Sequence, residues 1–195
     1  MKAIAFFDFD GTISTRDSLW CFLRHTFGAR LVLKLAQASP YILLFKAKLM
    51  KNDVAKANMF RVMFGDIAVR DFDAYGSSYS NESIQNIVKE SALDKIQWHK
   101  EQGHEVVVVS ASLKNWLQPW CEKQEVKLLC TQFTEDAGKM KWEYNPANCH
   151  GPAKVDRIKA SYDLEQFDKI YAYGDSSGDT EMLAIADEPH YRVFK

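Results

Sequence analysis

The chain has 195 residues, 47% of them hydrophobic and 26% charged, with a formal net charge of −1. That length suits one domain with a real core, or a core carrying an insertion, and the composition is globular. The charge balance supplies no overall field toward nucleic acid or anionic lipid.

The four cysteines, Cys21, Cys121, Cys130 and Cys149, form no CxxC pair and no Cys/His zinc spacing. They read as reduced structural thiols. Asp8 interrupts the N-terminal apolar run before a secretory signal could form. The expected location is therefore cytoplasmic.

Residues 4–7 are an apolar run ending in Asp8 and Asp10. The run predicts a strand buried on both faces, and side chains two apart on a strand share a side. Both carboxylates can then face one site, with Gly11 letting the backbone turn. Asp17 or Ser18 is placed to cap a helix ending near Gly28. Residues 29–50 predict a second helix, kinked or broken at Pro40. It is apolar nearly all round but falls well short of the ~20 apolar residues of a membrane span. Burial in a helical bundle is the expectation, and a face meeting lipid or a greasy substrate is the alternative. Lys46, Lys48 and Lys51 read as a solvated face.

Asp53 is placed to cap a third helix that stops at Gly65. A fourth begins near Asp71 and a fifth covers residues 92–102. Trp20, Phe60, Phe64 and Tyr75 are expected in the core of these helices, with one or two lining a pocket. The five histidines have no ligand spacing. Residues 104–110, with four consecutive valines, predict a second parallel strand. A helix over 113–124, a strand over 126–131, a hairpin over 133–144 and a helix after Gly151 follow. A strand over 169–173, a loop over 174–179, a helix over 180–186 and a last strand over 190–194 complete the pattern. Strands alternating with helices predict a doubly wound parallel sheet. The expected division is an α/β core, residues 1–17 and 92–195, and a helical cap, residues 18–91.

Parallel strands bring their carboxyl ends to one edge. Asp8 and Asp10, Ser110, and Asp175 with Asp179 all stand at such ends, and Lys154 opens the helix leading to the fourth strand. This set fits phosphoryl transfer with a divalent cation. Mg²⁺ takes oxygen ligands, commonly one or two carboxylates plus phosphate oxygens, for which Asp8 and Asp175 are suited. Lys154 and Ser110 can hold a phosphate, a carboxylate can attack phosphorus, and Asp10 can serve as acid and then base.

Asp8-Phe-Asp-Gly-Thr12, the strand ending in Ser110, the Lys154 helix and Gly174-Asp-Ser-Ser-Gly-Asp179 resemble the four motifs of the haloacid dehalogenase superfamily. The insertion after the first motif resembles the branch that includes phosphoserine phosphatase. The resemblance implies a Rossmann-like core with Asp8 as nucleophile and Asp10 as acid/base. It implies a Mg²⁺ site of Asp8, Asp10 through its main-chain carbonyl, Asp175 and Asp179. Thr12, Ser110, Ala111, Lys154 and Asp17 form the implied substrate-binding set, with Thr12 supporting the loop. Ala111 and Ser112 replace the two glycines usual in phosphoserine phosphatases, and Gly178 replaces an asparagine. None of Arg24, Arg30, Arg61 and Arg70 stands out as the arginine for a substrate carboxylate.

The expected function is Mg²⁺-dependent hydrolysis of a small phosphorylated metabolite through an aspartyl-phosphate. One alternative is a lipid-phosphate phosphatase of the phosphatidylglycerophosphate type, which motif four also resembles. Another is a catalytically silent phospholigand-binding protein on the same fold. The expected partner is a small phosphate ester, with no nucleic acid; a membrane partner and the oligomeric state stay open.

Overall fold

The structure, a computed structural model, describes residues 2–195. Its centre is β1 (Ala3–Phe7), buried along its whole length. The strand pairs in parallel with β2 (Glu105–Leu113) on one side and β6 (Lys169–Gly174) on the other. β3 (Lys127–Thr131) and β7 (Glu188–Tyr191) extend the sheet to the order β3-β2-β1-β6-β7, all parallel. Ala3, Ala5 and Phe7 face one layer with Val106 and Val108, while Ile4 and Phe6 face the other with Val107, Val109, Ile158 and Met182. Two buried faces explain the unbroken apolar strands.

α7 (Pro152–Ser161) and α8 (Thr180–Ala184) cover the second face. α5 (Glu90–Glu101) and α6 (Lys114–Gln124) cover the first. β4 (Phe133–Asp136) and β5 (Lys139–Tyr144) form the expected hairpin, turning through Ala137 and Gly138, both at positive φ.

Between β1 and β2 lie α1 (Ser18–Phe27), α2 (Leu31–Lys46), α3 (Asn52–Phe64) and α4 (Val69–Glu82). An aromatic cluster ties them to the sheet side: Phe22 stacks on Trp116 at 4.5 Å, and Phe60 stacks on Trp142 at 5.4 Å. Such pairs contribute about 0.5–1.5 kcal/mol each beyond their buried area. Gly76 lets α4 approach α6, because a Cβ there would lie 2.2 Å from the Asn115 carbonyl oxygen. The two connections to this helical region run side by side. Thr15 N–H donates to Ile87 O at 2.7 Å, and Lys89 N–H donates to Ile13 O at 2.8 Å.

Several sequence expectations are corrected. Lys51, not Asp53, is the N-cap of α3, without a side-chain bond; Asp53 sits inside the first turn. The second helix starts after a separate turn, Gly28–Arg30, and ends at Lys46 rather than residue 50. It does run through Pro40. Proline cannot donate to the Ala36 carbonyl, and the Ser39 hydroxyl takes that acceptor at 2.8 Å. The last strand is displaced toward residue 188, because Arg192 turns to positive φ and donates its N–H to Gly174 O. Phe194 then folds back onto Tyr173 and Phe7. Tyr75 is exposed rather than core and Phe64 is half-buried, while Trp20, also exposed, lines a cavity as expected of one or two of these residues.

The largest correction concerns α2, expected to be buried. Only Ala38 is fully buried, with Leu31, Leu35 and Ile42 packing inward. Val32, Leu33 and Leu43 are 75%, 63% and 63% exposed. The neighbouring helices between β1 and β2 cover one side of α2 and leave the other in solvent. Among the described residues no helix is long and apolar enough to cross a membrane.

Candidate active site

β1 ends at Asp8, and the next turn, Phe9–Ile13, carries Asp10 to the same edge. Gly11 makes that turn at φ +88 with Asp175 directly above it; a Cβ there would lie 2.4 Å from Asp175 Oδ2. Only glycine satisfies both the dihedral and the close approach. Asp175 follows β6, and Asp179 closes the next turn.

Lys154, in the first turns of α7, is buried with its Nζ at the centre of this edge. It donates to Asp8 Oδ1 at 2.5 Å, Asp179 Oδ1 at 2.6 Å and Val109 O at 2.8 Å. Burial penalises this ammonium, but Asp8 and Asp179 outweigh it and raise its pKa. Burial also pushes Asp8 up to about 7, against the pull of Lys154 and with help from Asp179 and Asp10. Asp179 goes the other way: burial raises it, but Lys154 and the Ser176 donors hold it below its usual range. Its Oδ2 accepts Asp175 N–H at 3.2 Å, Ser176 N–H at 3.1 Å and the Ser176 hydroxyl at 3.0 Å. Asp175 is raised by burial and by Asp179, with the Thr12 hydroxyl donating to its Oδ1 at 3.4 Å.

Asp8, Asp175 and Asp179 each offer a carboxylate oxygen, all within 4.8 Å of one another. One ammonium faces three carboxylates, so the cluster lacks positive charge. That imbalance and the all-oxygen donor set fit a hard divalent cation such as Mg²⁺.

Asp10 stands apart from the three. Its Oδ1 accepts Ser18 N–H at 2.6 Å, and its Oδ2 accepts the Ser112 hydroxyl at 2.5 Å. Its carboxylate lines a cavity of about 420 Å³ together with Asp8, Lys154 and Asp179. Asp17 lines it too, while its Oδ1 caps α1 by accepting Leu19 N–H at 2.9 Å. Burial and then Asp10 raise the Asp17 pKa. Ser110 is fully buried, and its Oγ accepts Ser112 N–H at 3.0 Å. It supports the bulged end of β2, while Ala111 and Ser112 line the cavity.

Sequence reasoning missed several residues here. Lys56 of α3 reaches the cavity and donates to Ala111 O at 2.9 Å. Burial lowers its pKa, while Asp10 and Asp17 counteract. Ser18 and Ser112 hold Asp10, and His150 and Asn148 line the wall. No local motif marks Lys56, Asn148 or His150, and Ser18 and Ser112 stand out in the sequence only as a cap candidate and a departure from a motif; only folding brings them together. The outer wall is apolar, formed by Leu19, Trp20, Ile42, Phe45 and Met59. No arginine lies among the lining residues.

A family model described as "haloacid dehalogenase-like hydrolase" matches residues 5–184. Protein CicA of Caulobacter vibrioides (strain NA1000 / CB15N) is 28% identical over 191 residues, 97% of this chain and 85% of that protein. The Mycobacterium tuberculosis (strain H37Rv) protein named "Probable phosphatase Rv3661" is 31% identical, over 93% of this chain and 66% of that protein. Among solved structures, a protein of unknown function from Bordetella pertussis Tohama I superposes with TM-score 0.80 at 18% identity, covering 95% of this chain and 87% of its own. A phosphoserine phosphohydrolase-like protein from Francisella tularensis superposes with TM-score 0.66 at 19% identity, covering 98% and 86%. These structures share the fold.

Proposed function

The chain belongs to the haloacid dehalogenase-like hydrolases, and from that membership we propose that it is a phosphatase acting on phosphate monoesters, with Asp8 as nucleophile. The observation that carries this reading is the buried Asp8–Lys154–Asp179 array beside Asp10 at the end of the central strand. In the first half-reaction an Asp8 carboxylate oxygen bonds to phosphorus and the ester P–O bond breaks. Asp10, as the carboxylic acid, gives its proton to the leaving oxygen. In the second, Asp10 takes a proton from water as that water attacks the phosphoryl group. The bond to Asp8 breaks, and inorganic phosphate leaves.

Lys154 brings positive charge beside the transferring group and holds Asp8 in place. Asp8, Asp175 and Asp179 would hold Mg²⁺, with the Asp10 main-chain carbonyl as a further ligand; the ion supplies charge that offsets the phosphate dianion. Thr12 steadies Asp175, Ser110 steadies the Ala111–Ser112 backbone, and Asp17 borders the leaving group. Residues 18–91 act as the cap over a core of residues 1–17 and 92–195, and Lys56 ties cap to core at Ala111.

The substrate is a phosphate monoester with a partly apolar body, since the outer wall offers Trp20, Ile42 and Phe45. A second reading, a phosphate monoester borne on an amphiphile, is favoured by the exposed apolar side of α2 beside that wall. Hydrolysis of p-nitrophenyl phosphate with and without Mg²⁺ tests the activity, and absence of turnover in both conditions would contradict it.

A further inference from the structure

The apolar residues of α2 are arranged the wrong way round for a surface helix. Val32, Leu33, Ala36, Pro40, Leu43 and Leu44 recur at helical spacing on one side, and every one of them is exposed. A surface helix ordinarily turns such a stripe toward the core and its charges toward water. Here a second apolar stripe already serves the core, so the outer one has no partner within the chain. Leu49, just beyond the helix, is 76% exposed as well.

Charge is distributed with equal asymmetry. From residue 29 to residue 52 the chain carries Arg30, Lys34, Lys46, Lys48 and Lys51 and no aspartate or glutamate. The whole chain carries −1, so the remainder carries six net negative charges. Arg30 at one end of α2 and Lys46, Lys48 and Lys51 at and beyond the other are exposed, while Lys34 turns over the Phe27 ring. The apolar side is thus flanked by cations at both ends, and the rest of the molecule is repelled by the surface that would attract them.

We propose that the outer side of α2, with the segment to Lys51, is a docking surface for an anionic lipid bilayer. An apolar strip flanked by lysines matches an interface whose acyl boundary takes Leu and Val while its headgroups take cations. A second copy of the chain fits poorly, because face-to-face pairing would bring two sets of these exposed cations together. The cavity opens at the edge of this face, where Phe45 and Lys46 belong to its wall. Docking therefore places the mouth of the site at headgroup level. The inference goes beyond the proposed activity and does not depend on it.

Co-sedimentation with vesicles tests it. Wild-type protein is expected to sediment with phosphatidylglycerol/phosphatidylcholine vesicles at physiological salt and not with phosphatidylcholine alone. High salt should release it. Leu33→Glu with Leu43→Glu should abolish sedimentation, and Lys48→Glu with Lys51→Glu should weaken it on the order of 30-fold or more, from two lost lysine–headgroup attractions. None of these four residues lines the cavity, so both variants should hydrolyse p-nitrophenyl phosphate like wild type. Absent sedimentation of the wild type would overturn the proposal, as would unchanged sedimentation of both variants. So would a wild-type dimer that ignores vesicles and dissociates in the leucine variant. Loss of p-nitrophenyl phosphate turnover in parallel with vesicle binding would also overturn it, because the face would then belong to the site. Vesicle binding without any wild-type turnover would count against the phosphatase reading alone.

Discussion

The Ser112 hydroxyl donates to Asp10 Oδ2 at 2.5 Å, joining the end of β2 to the turn after β1. Behind it, Trp116 Nε1–H donates to Ser18 Oγ at 3.2 Å, and the Ser18 and Ser112 hydroxyls bond at 2.8 Å. With Ser112 committed to Asp10, Ser18 must be the donor in that pair. The row runs one way, toward the carboxylate, and Ser18 N–H fixes the other oxygen. Asp10 is thereby aimed by α1 and β2 together.

Ser112→Ala should leave the fold intact and slow turnover of an alkyl phosphate roughly tenfold, about 1.4 kcal/mol of barrier. Turnover of p-nitrophenyl phosphate should fall less, since its leaving group needs little protonation. Ser112→Thr, which keeps the hydroxyl, should restore most of the loss. Equal losses for both substrates, measured as kcat/KM, would mean that Ser112 matters only for packing.

How much of this could be read from sequence differs from element to element. The strands near Asp8, Ser110 and Asp175 were legible because burial on both faces forces continuous apolar runs, and parallel pairing sends their ends to one edge. Gly11 was legible as a turn, but its steric closeness to Asp175 was not, since it depends on a residue 164 positions later. Lys56 carries no local signature, and Ser112 was legible only as a serine where the motif usually has glycine: both are ordinary until tertiary folding aims them at one cavity. α2 shows a different limit. An all-round apolar helix reads as buried, yet its composition does not say whether neighbours cover both sides. The displaced β7 follows from Arg192 adopting positive φ, which β-propensity does not anticipate.

Removing divalent metal should abolish activity. Excess EDTA should stop p-nitrophenyl phosphate turnover, Mg²⁺ should restore it, and Ca²⁺ should substitute poorly because it accepts more ligands and looser geometry. Undiminished turnover in excess chelator, followed by absorbance, would contradict the role given to Asp8, Asp175 and Asp179.

Stability should depend on His99. Its ring is fully buried, with Nε2 3.0 Å from the Tyr173 hydroxyl and Nδ1 2.9 Å from His104 Nδ1. Burial first, then His104, Lys95 and His190, push it down to about 3 from an ordinary 6.5. The unfolded chain therefore takes up this proton before the folded one does. Its contribution is whole above about pH 6.5 and is lost progressively as pH falls toward 3. Urea unfolding should show wild type losing stability between pH 6.5 and 5 more steeply than His99→Gln, by up to about one proton. Identical slopes would contradict a neutral buried His99.

Asp8 is proposed to take the phosphoryl group. The most direct measurement is mass spectrometry of the enzyme quenched in acid during turnover, with Asp8→Asn alongside. One phosphoryl group is expected on the peptide containing Asp8 in wild type. In Asp8→Asn no such group is expected, and turnover should be lower by several orders of magnitude, with the circular dichroism spectrum of the wild type. A phosphoryl group on another residue, or near wild-type turnover by Asp8→Asn, would contradict it.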